Sequence, residues 1–408
     1  MTEIKGLRPA LPILTGAAVM LTLSMGVRQS FGLIMQPLTG DIAITVADFT
    51  LAIALQNLAW GFLQPVAGAL AVRLGFRVIM LAGAGLYVAG LAVLAMAHGL
   101  FALFLGAGVL IGIALACTAS GIALAVASRA VAASLRSLVL GAVTAAGSLG
   151  ALLAAPIGQM LASEFGWRAG VIGFLVLVLG MLPAAWLAGR VDAVPLPRQE
   201  AATDISGRMA LRMACTNLSF MVMTLAYFVC GMQLIFITTH LPTYLAICGM
   251  DPMLSAEALG VIAVFNVFGS LFFGFAGGRW SKGALLGGIY IARSAVLGWY
   301  FVLPPTPMGT LAFAAAMGFL WLGVAPLVAG LVAEMFGLRW QAMIQGLAFM
   351  SHQIGSFVGA FGGGVLFDWL GSYDLAWRLA VAMGLTAGIV QVAFALWRPP
   401  SQMAAAPA

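Results

Sequence analysis

Two arginines and two histidines stand inside stretches that otherwise read as soluble in hydrocarbon. Arg28 lies in residues 26–38, Gly-Val-Arg-Gln-Ser-Phe-Gly-Leu-Ile-Met-Gln-Pro-Leu. Arg293 interrupts a later apolar run, His240 precedes Pro242 and Tyr244, and His352 is followed by Gln353. A guanidinium offers a planar fork of donors that matches a carboxylate. An imidazole can donate to the same group, or take up a proton near neutral pH. Such groups cost several kcal/mol to bury in lipid, which makes each a candidate functional residue. At a rise of 1.5 Å per residue, Arg28 falls about 7 Å beyond the middle of its run. Arg28, Phe31, Gln56, Asn266, His352 and Gln353 are therefore the candidate cargo-binding residues, with His352 and His240 as candidate proton carriers. Each has a plainer reading as well. Arg28 can snorkel to the interface or hold carbonyls, Phe31 can be packing, and Gln56, Asn266 and the histidines can brace neighbouring helices for modest energy.

What is missing narrows the chemistry. No Asp or Glu falls in the middle of an apolar run, since Glu334 and Asp368 come at the ends of theirs. The buried polar inventory is thus cationic or neutral, and an anion is the cargo it would favour. There is no paired carboxylate, Gly-x-Ser-x-Gly, His-Glu-x-x-His or Walker loop, so neither catalysis nor ATP coupling is expected. Cys117, Cys215, Cys230 and Cys248 have no metal-like spacing and read as free thiols; no metal and no cofactor are expected. The net charge of +6 forms no basic patch, which excludes a nucleic-acid partner.

The elements that carry these residues follow from composition. Charged residues are 7% of the 408 and hydrophobic ones 63%, with a mean hydropathy of +1.11. Soluble domains carry about 25% charged residues. A bilayer is the solvent this chain suits, and about 20 residues per span leaves room for twelve helices. The spans are predicted near 11–36, 48–70, 77–97, 100–126, 137–162 and 168–188, then 215–245, 256–277, 283–303, 309–333, 341–366 and 375–397. Residues 189–211 break the pattern with Pro195, Pro197 and clustered charges. The expected organisation is therefore a six-helix half over 1–188, a linker over 189–211 and a second half over 212–408. Arg208 and Arg212 fit an amphipathic surface helix within the linker. Lys5 and Arg8 precede the first run, but that run is too long for a cleaved signal peptide.

Basic residues sort by side. Lys5, Arg8, Arg73, Arg77, Arg129, Arg136, Arg190, Arg198, Arg208, Arg212, Arg279, Lys282, Arg339 and Arg398 all fall on one side of the predicted spans. The other side has Arg168 and Arg378 among acids such as Asp41, Asp48, Asp251 and Glu257. The positive-inside bias then puts both termini and the linker in the cytoplasm of a plasma (inner) membrane.

The chain also repeats itself about 205 positions on. Gly26, Phe31 and Pro37 return as Gly231, Phe236 and Pro242, while Gln233 replaces Arg28 and His240 replaces Met35. Gly68 and Arg73 return as Gly274 and Arg279, Gly141 and Gly150 as Gly346 and Gly355, and Trp167-Arg168 as Trp377-Arg378. Parallel six-helix repeats with cargo held where they meet are a known plan of secondary transporters.

The phrase Gly68-Ala-Leu-Ala-Val-Arg-Leu-Gly-Phe-Arg77 resembles the loop of the major facilitator superfamily between helices 2 and 3, Gly-x-x-x-Asp-Arg-x-Gly-Arg-Arg. The resemblance covers nearly the whole chain. It implies a cytoplasmic gate built from Gly68, Arg73, Gly75 and Arg77, with Arg279 in the second copy. Val72 and Gly278 stand where the family has its relay aspartate, so the gate must be latched differently or less firmly. Gly108 stands where proton-driven drug exporters carry an arginine, and the antiporter glycine-proline pattern survives only loosely around Gly150 and Ala155-Pro156-Ile157-Gly158. In the family, helices 3, 6, 9 and 12 form an outer layer, which implies a structural role for Arg293. Residues 28–33, Ser351-His-Gln-Ile-Gly-Ser356 and Gly364-Val-Leu-Phe-Asp-Trp-Leu-Gly-Ser-Tyr373 resemble the monocarboxylate and oxalate/formate branch, although Asn266 stands in helix 8 where that branch often has an arginine. The resemblance implies a monomeric rocker-switch carrier of a small organic anion, a monocarboxylate in the first instance, with proton symport, exchange and facilitated diffusion all open as its mode. Two alternatives stay open: an exporter of a neutral or amphiphilic compound, with Arg28 as a structural post, and a sensor built on a transporter fold.

Overall fold

A computed structural model describes residues 8–197 and 205–397. Lys5, Arg198 and Arg398 lie outside the described residues, as does part of the linker. Every regular element among the described residues is helical. The first half holds α1 (Leu11–Gln29, then Gly32–Asp41), α2 (Val46–Leu74), α3 (Phe76–Ala95), α4 (Leu100–Ala130), α5 (Ala133–Phe165) and α6 (Trp167–Ala193). The second half holds α7 (Leu218–Ile247), α8 (Pro252–Gly277), α9 (Lys282–Val302), α10 (Pro307–Phe336), α11 (Gln341–Phe357, continuing to Leu370) and α12 (Asp374–Trp397). Eleven of these are unbroken enough, long enough and apolar enough to cross a membrane by length and composition. In α11, a π-helical turn at Val358–Gly362 separates two shorter α-segments. The expected twelve helices are present. A connector helix, Gly207–Thr216, buries Ala210 and Ala214 and exposes Arg208 and Arg212, the amphipathic form expected there.

Local chemistry sets the helix ends. Thr45 and Asp48 form a reciprocal capping box at the start of α2, satisfying amides that the first turn leaves open. α1 breaks at Ser30, whose hydroxyl donates to the Gly26 carbonyl at 2.8 Å and whose N–H reaches both Gly26 and Val27. A serine bonded back one turn in this way bends a helix. α10 breaks at Leu322–Gly323, and buried backbone freed by such a break must find partners. The Asn266 Oδ1 accepts from the Leu322 N–H at 3.0 Å, and an Arg293 Nη2 donates to the Leu320 carbonyl at 2.8 Å.

Contact clustering divides the chain into two compact units. One comprises Met1–Ile205 with Leu338–Leu347, the other Ser206–Gly337 with Ala348–Ala408. The start of α11 thus belongs with the first unit. There, a Cβ on Gly68 would stand 2.4 Å from the Met343 nitrogen, and one on Gly346 would stand 2.6 Å from the Pro65 nitrogen.

The sequence repeat is a packing repeat. In the first unit, a Cβ on Gly26 would stand 2.4 Å from the Gly150 carbonyl oxygen, and one on Gly150 only 2.0 Å from that of Thr22. In the second, a Cβ on Gly231 would stand 2.0 Å from the His352 oxygen, and one on Gly355 2.0 Å from that of Phe228. Backbone therefore meets backbone between α1 and α5 and again between α7 and α11, as small residues permit in membranes. The buried core of the second unit contains an aromatic cluster centred on Trp377, with Phe236 4.8 Å away edge-on and Phe301 at 5.6 Å.

Candidate functional site

In the first unit, the break at Ser30 ends the straight part of α1 just past Arg28. Arg28 as a whole is half-buried. One Nη donates to the Asn57 Oδ1 at 2.5 Å, and the guanidinium carbon lies 5.1 Å from the centre of the Trp60 ring. Trp60 is held in turn by its indole N–H, which donates to the Gln64 Oε1 at 2.8 Å. The Nε of Arg28 is buried without a partner, and among the described residues no carboxylate is within ion-pair distance of it. An amide dipole and a ring face hold this cation in position without neutralising it.

The other first-unit candidates are placed elsewhere. Gln56 is fully buried, and its Nε2 donates to the Ala107 carbonyl at 2.7 Å. That oxygen belongs to a π-helical stretch of α4, Phe104–Leu110, so Gln56 braces α2 against α4. Phe31 is buried, 6.4 Å from the Phe174 ring of α6. Asn57, one residue after Gln56, is the neighbour that reaches Arg28.

In the second unit, His352 and Gln353 sit on α11 facing α7. The imidazole stacks on Phe349 with centroids 5.5 Å apart, and meets the Tyr227 ring at 4.6 Å. Its Nδ1 is 3.3 Å from the Gln353 Oε1 and 3.5 Å from the Ser356 hydroxyl. Tyr227 was not among the sequence candidates. It lies one turn before Gly231, the glycine that admits the His352 carbonyl, so the i, i+4 face of α7 was the available signal.

His240 is engaged at both ring nitrogens. Its Nε2 is 2.9 Å from the Ala360 carbonyl, in the π-helical turn of α11, and its Nδ1 is 3.1 Å from the Tyr373 hydroxyl. A carbonyl only accepts, so Nε2 carries the proton and Nδ1 accepts from Tyr373. Asn266 is spent on the break in α10, as described above. Arg293 is fully buried, with Nη1 3.1 Å from the Cys230 sulfur and Nη2 on the carbonyls at that same break. Gln233, which replaces Arg28 in the repeat, donates to the Ala380 carbonyl and the Ser294 hydroxyl, bracing α7 to α12 and α9.

The loop expected to form a gate is organised by a residue that it does not itself contain. Gly75 has a φ of +90°, which suits glycine. Immediately after it, the Phe76 and Arg77 amides donate to the two carboxylate oxygens of Asp192 at 2.8 and 3.0 Å. Asp192 comes from the end of α6 and supplies a negative group at the α3 N-terminus, a favourable position for one. Arg129 fixes that stretch by donating to the Val194 carbonyl at 2.6 Å, and the Arg77 guanidinium lies 4.4 Å over the Trp186 ring. Arg73 is exposed, and Arg279 lies 4.1 Å over Phe275 in the second unit. At the far end of the first unit, Asp41 accepts from the Trp167 indole at 3.1 Å and from Arg168 at 2.5 Å. Those two bonds, the indole first, hold its carboxyl below the usual carboxylate range.

Twelve apolar helices in two repeated halves carry these groups, and the family to which the chain belongs makes it a multi-pass membrane transporter, not an enzyme. The chain matches the Major Facilitator Superfamily over residues 17–360 and belongs to that family. It is 26% identical over 383 residues to human Monocarboxylate transporter 11, covering 91% of this chain and 79% of that one. The mouse protein of the same name is likewise 26% identical, over 391 residues, covering 90% of this chain and 83% of that one. Among solved structures, the E. coli fucose:proton symporter FucP superposes with a TM-score of 0.73 at 17% identity, covering 93% of this chain and 98% of that one. The proton:xylose symporter XylE bound to 6-bromo-6-deoxy-D-glucose gives 0.72 at 12% identity, with 95% of each chain covered. Those two likenesses show a shared fold.

Proposed function

We propose that this transporter carries a small organic anion, in the first instance a monocarboxylate, across the inner membrane by alternating access coupled to protons. The observation that carries the reading is Arg28: a guanidinium with one donor on Asn57, a buried Nε without a partner, and no acid beside it among the described residues. An unpaired cation at this depth is costly. A cargo carboxylate would supply both the missing charge and the missing acceptor. Trp60 and Asn57 hold the fork in place, which lowers the ordering cost of binding. His352, with Gln353 and Ser356 around its Nδ1, is the proposed proton carrier. His240 is a weaker choice for that role, because its two nitrogens already serve Ala360 and Tyr373. The likeness to proteins named Monocarboxylate transporter 11 supports the cargo class.

The test is uptake of radiolabelled short-chain monocarboxylates by proteoliposomes, with and without a pH gradient. Arg28→Lys keeps the charge but loses the fork. At about 1.5–3 kcal/mol per charge-assisted bond, uptake affinity should fall roughly 10- to 100-fold. Wild-type uptake by Arg28→Ala would remove the basis of the proposal. Absence of counterflow with every acid tried would favour a sensor instead.

A further inference from the structure

The second unit has a cavity of about 370 Å³ on its outside, lined by Phe273, Trp280, Ala284, Gly288, Ala292 and Leu320 among others. Ala284, Gly288 and Ala292 recur every four residues, so one face of α9 forms the floor. A Cβ on Gly288 would meet nothing within 4 Å, whereas one on Gly287 would stand 2.5 Å from Val392. The Gly288 face is open while its neighbour is packed. From Ser281 to Ala292 the floor runs eleven residues, about 16 Å at helical rise. That is close to half of the roughly 30 Å hydrocarbon core. The groove therefore has the length of one leaflet.

Its mouth has a distinct chemistry. Trp280 is 58% exposed there, the position of an interfacial anchor. Lys282 is paired with Glu334, which leaves Arg279 as the uncompensated charge beside Trp280. Arg279 is exposed, lies on the Phe275 ring, and has no acidic partner among the described residues. An apolar slot one leaflet deep, with a single net positive charge at its interfacial end, is complementary to an anionic lipid.

We propose that this groove is a binding site for one anionic glycerophospholipid, an acyl chain lying along Ala284–Gly288–Ala292 and the phosphate meeting Arg279 beside Trp280. The site is independent of the cargo site and of the cargo's identity.

The experiment uses the whole protein in nanodiscs of phosphatidylcholine, alone or with a minor fraction of phosphatidylglycerol bearing a photoactivatable acyl chain. Peptide mapping locates the adducts. The expected adducts fall on residues 280–292 and are competed by unlabelled phosphatidylglycerol far better than by phosphatidylcholine. Arg279→Gln should cut the preference for phosphatidylglycerol about fivefold, from about 1 kcal/mol per basic residue at a membrane surface. Gly288→Leu, which fills the slot, should cut labelling there more than tenfold; Ala292→Leu is the second variant should Gly288→Leu not fold. Labelling of residues 280–292 unchanged in both slot-filling variants would overturn the proposal. So would equal competition by the two lipids, or a wild-type dimer that Gly288→Leu or Ala292→Leu converts to monomer.

Discussion

Replacing Gly150 by alanine puts the backbone contact between α1 and α5 to a quantitative test. The new Cβ would stand 2.0 Å from the Thr22 carbonyl oxygen, where such contacts essentially never fall below 3.0 Å. The opposing atom is backbone and cannot rotate away, so the two helices must part by about 1 Å locally. One turn earlier, the Thr22 hydroxyl donates to the Ala146 carbonyl at 2.8 Å; the same separation stretches that bond past useful length. Forced overpacking costs about 1–3 kcal/mol, and an interhelical bond in a membrane averages about 0.6 kcal/mol. Gly150→Ala should therefore lose about 2–3 kcal/mol. Gly85→Ala is the control, because a Cβ on Gly85 meets nothing within 4 Å. Gly355→Ala, 2.0 Å from the Phe228 oxygen, is the same experiment in the second unit. Thermal unfolding in detergent, followed by size-exclusion chromatography with fluorescence detection, ranks the variants. Gly150→Ala and Gly355→Ala should melt well below wild type, with Gly85→Ala at or above it. If all three melt together, the backbone contacts do not hold these helices and the reasoning fails.

Three further outcomes can be measured. Asp192→Ala leaves the Phe76 and Arg77 amides without their acceptor and should cost about 1 kcal/mol, the usual worth of a helix cap, with faster hydrogen exchange at those two amides. Protection unchanged from wild type would show that the carboxylate is not their partner in solution. His352→Gln should flatten the pH dependence of transport between about pH 5 and 8 while leaving counterflow intact; a profile that keeps its slope removes His352 as the proton carrier. Asp41 has its folded-state pKa lowered by Trp167 and then Arg168. Its contribution is present above the unfolded value and disappears as pH falls through the folded one. Melting temperature should thus decline from pH 6 toward pH 3 more steeply in wild type than in Asp41→Asn. Parallel curves would assign the decline to other carboxylates.

Most of the architecture could be read from the sequence, because the bilayer makes hydropathy decisive and backbone in lipid must close its own hydrogen bonds. The span predicted over 77–97 is observed as Phe76–Ala95, and that over 283–303 as Lys282–Val302. The glycines at 26, 150, 231 and 355, found through the repeat, are all in backbone contact. The breaks were not predicted. The first span was predicted as one run to residue 36, yet it bends at Ser30. α10 was likewise predicted whole, yet it opens at Leu322–Gly323, one turn before Pro326, which has no N–H to offer the Leu322 carbonyl. Individual orientations were also out of reach. Gln56 and Asn57 are adjacent and both amides, but a helix turns about 100° between them. Which one reaches Arg28 depends on helix rotation, and rotation depends on packing with distant segments. Asp192 was hidden for a similar reason, since nothing in residues 68–77 indicates that a carboxylate 116 positions beyond Phe76 will cap α3.

Where carbonyl oxygens already touch the neighbouring chain, two rods have no room to slide past each other. α1 with α5, and α7 with α11, are thus fused into double-width blades, and any rearrangement within a half must be absorbed at the joints that remain. Three such joints are the bend at Ser30, the opening at Leu322–Gly323 and the wide turn at Val358–Gly362. Each of the three has a polar side chain attached (the Ser30 hydroxyl, the Asn266–Arg293 pair and His240), so stiffness and compliance in this carrier are assigned residue by residue.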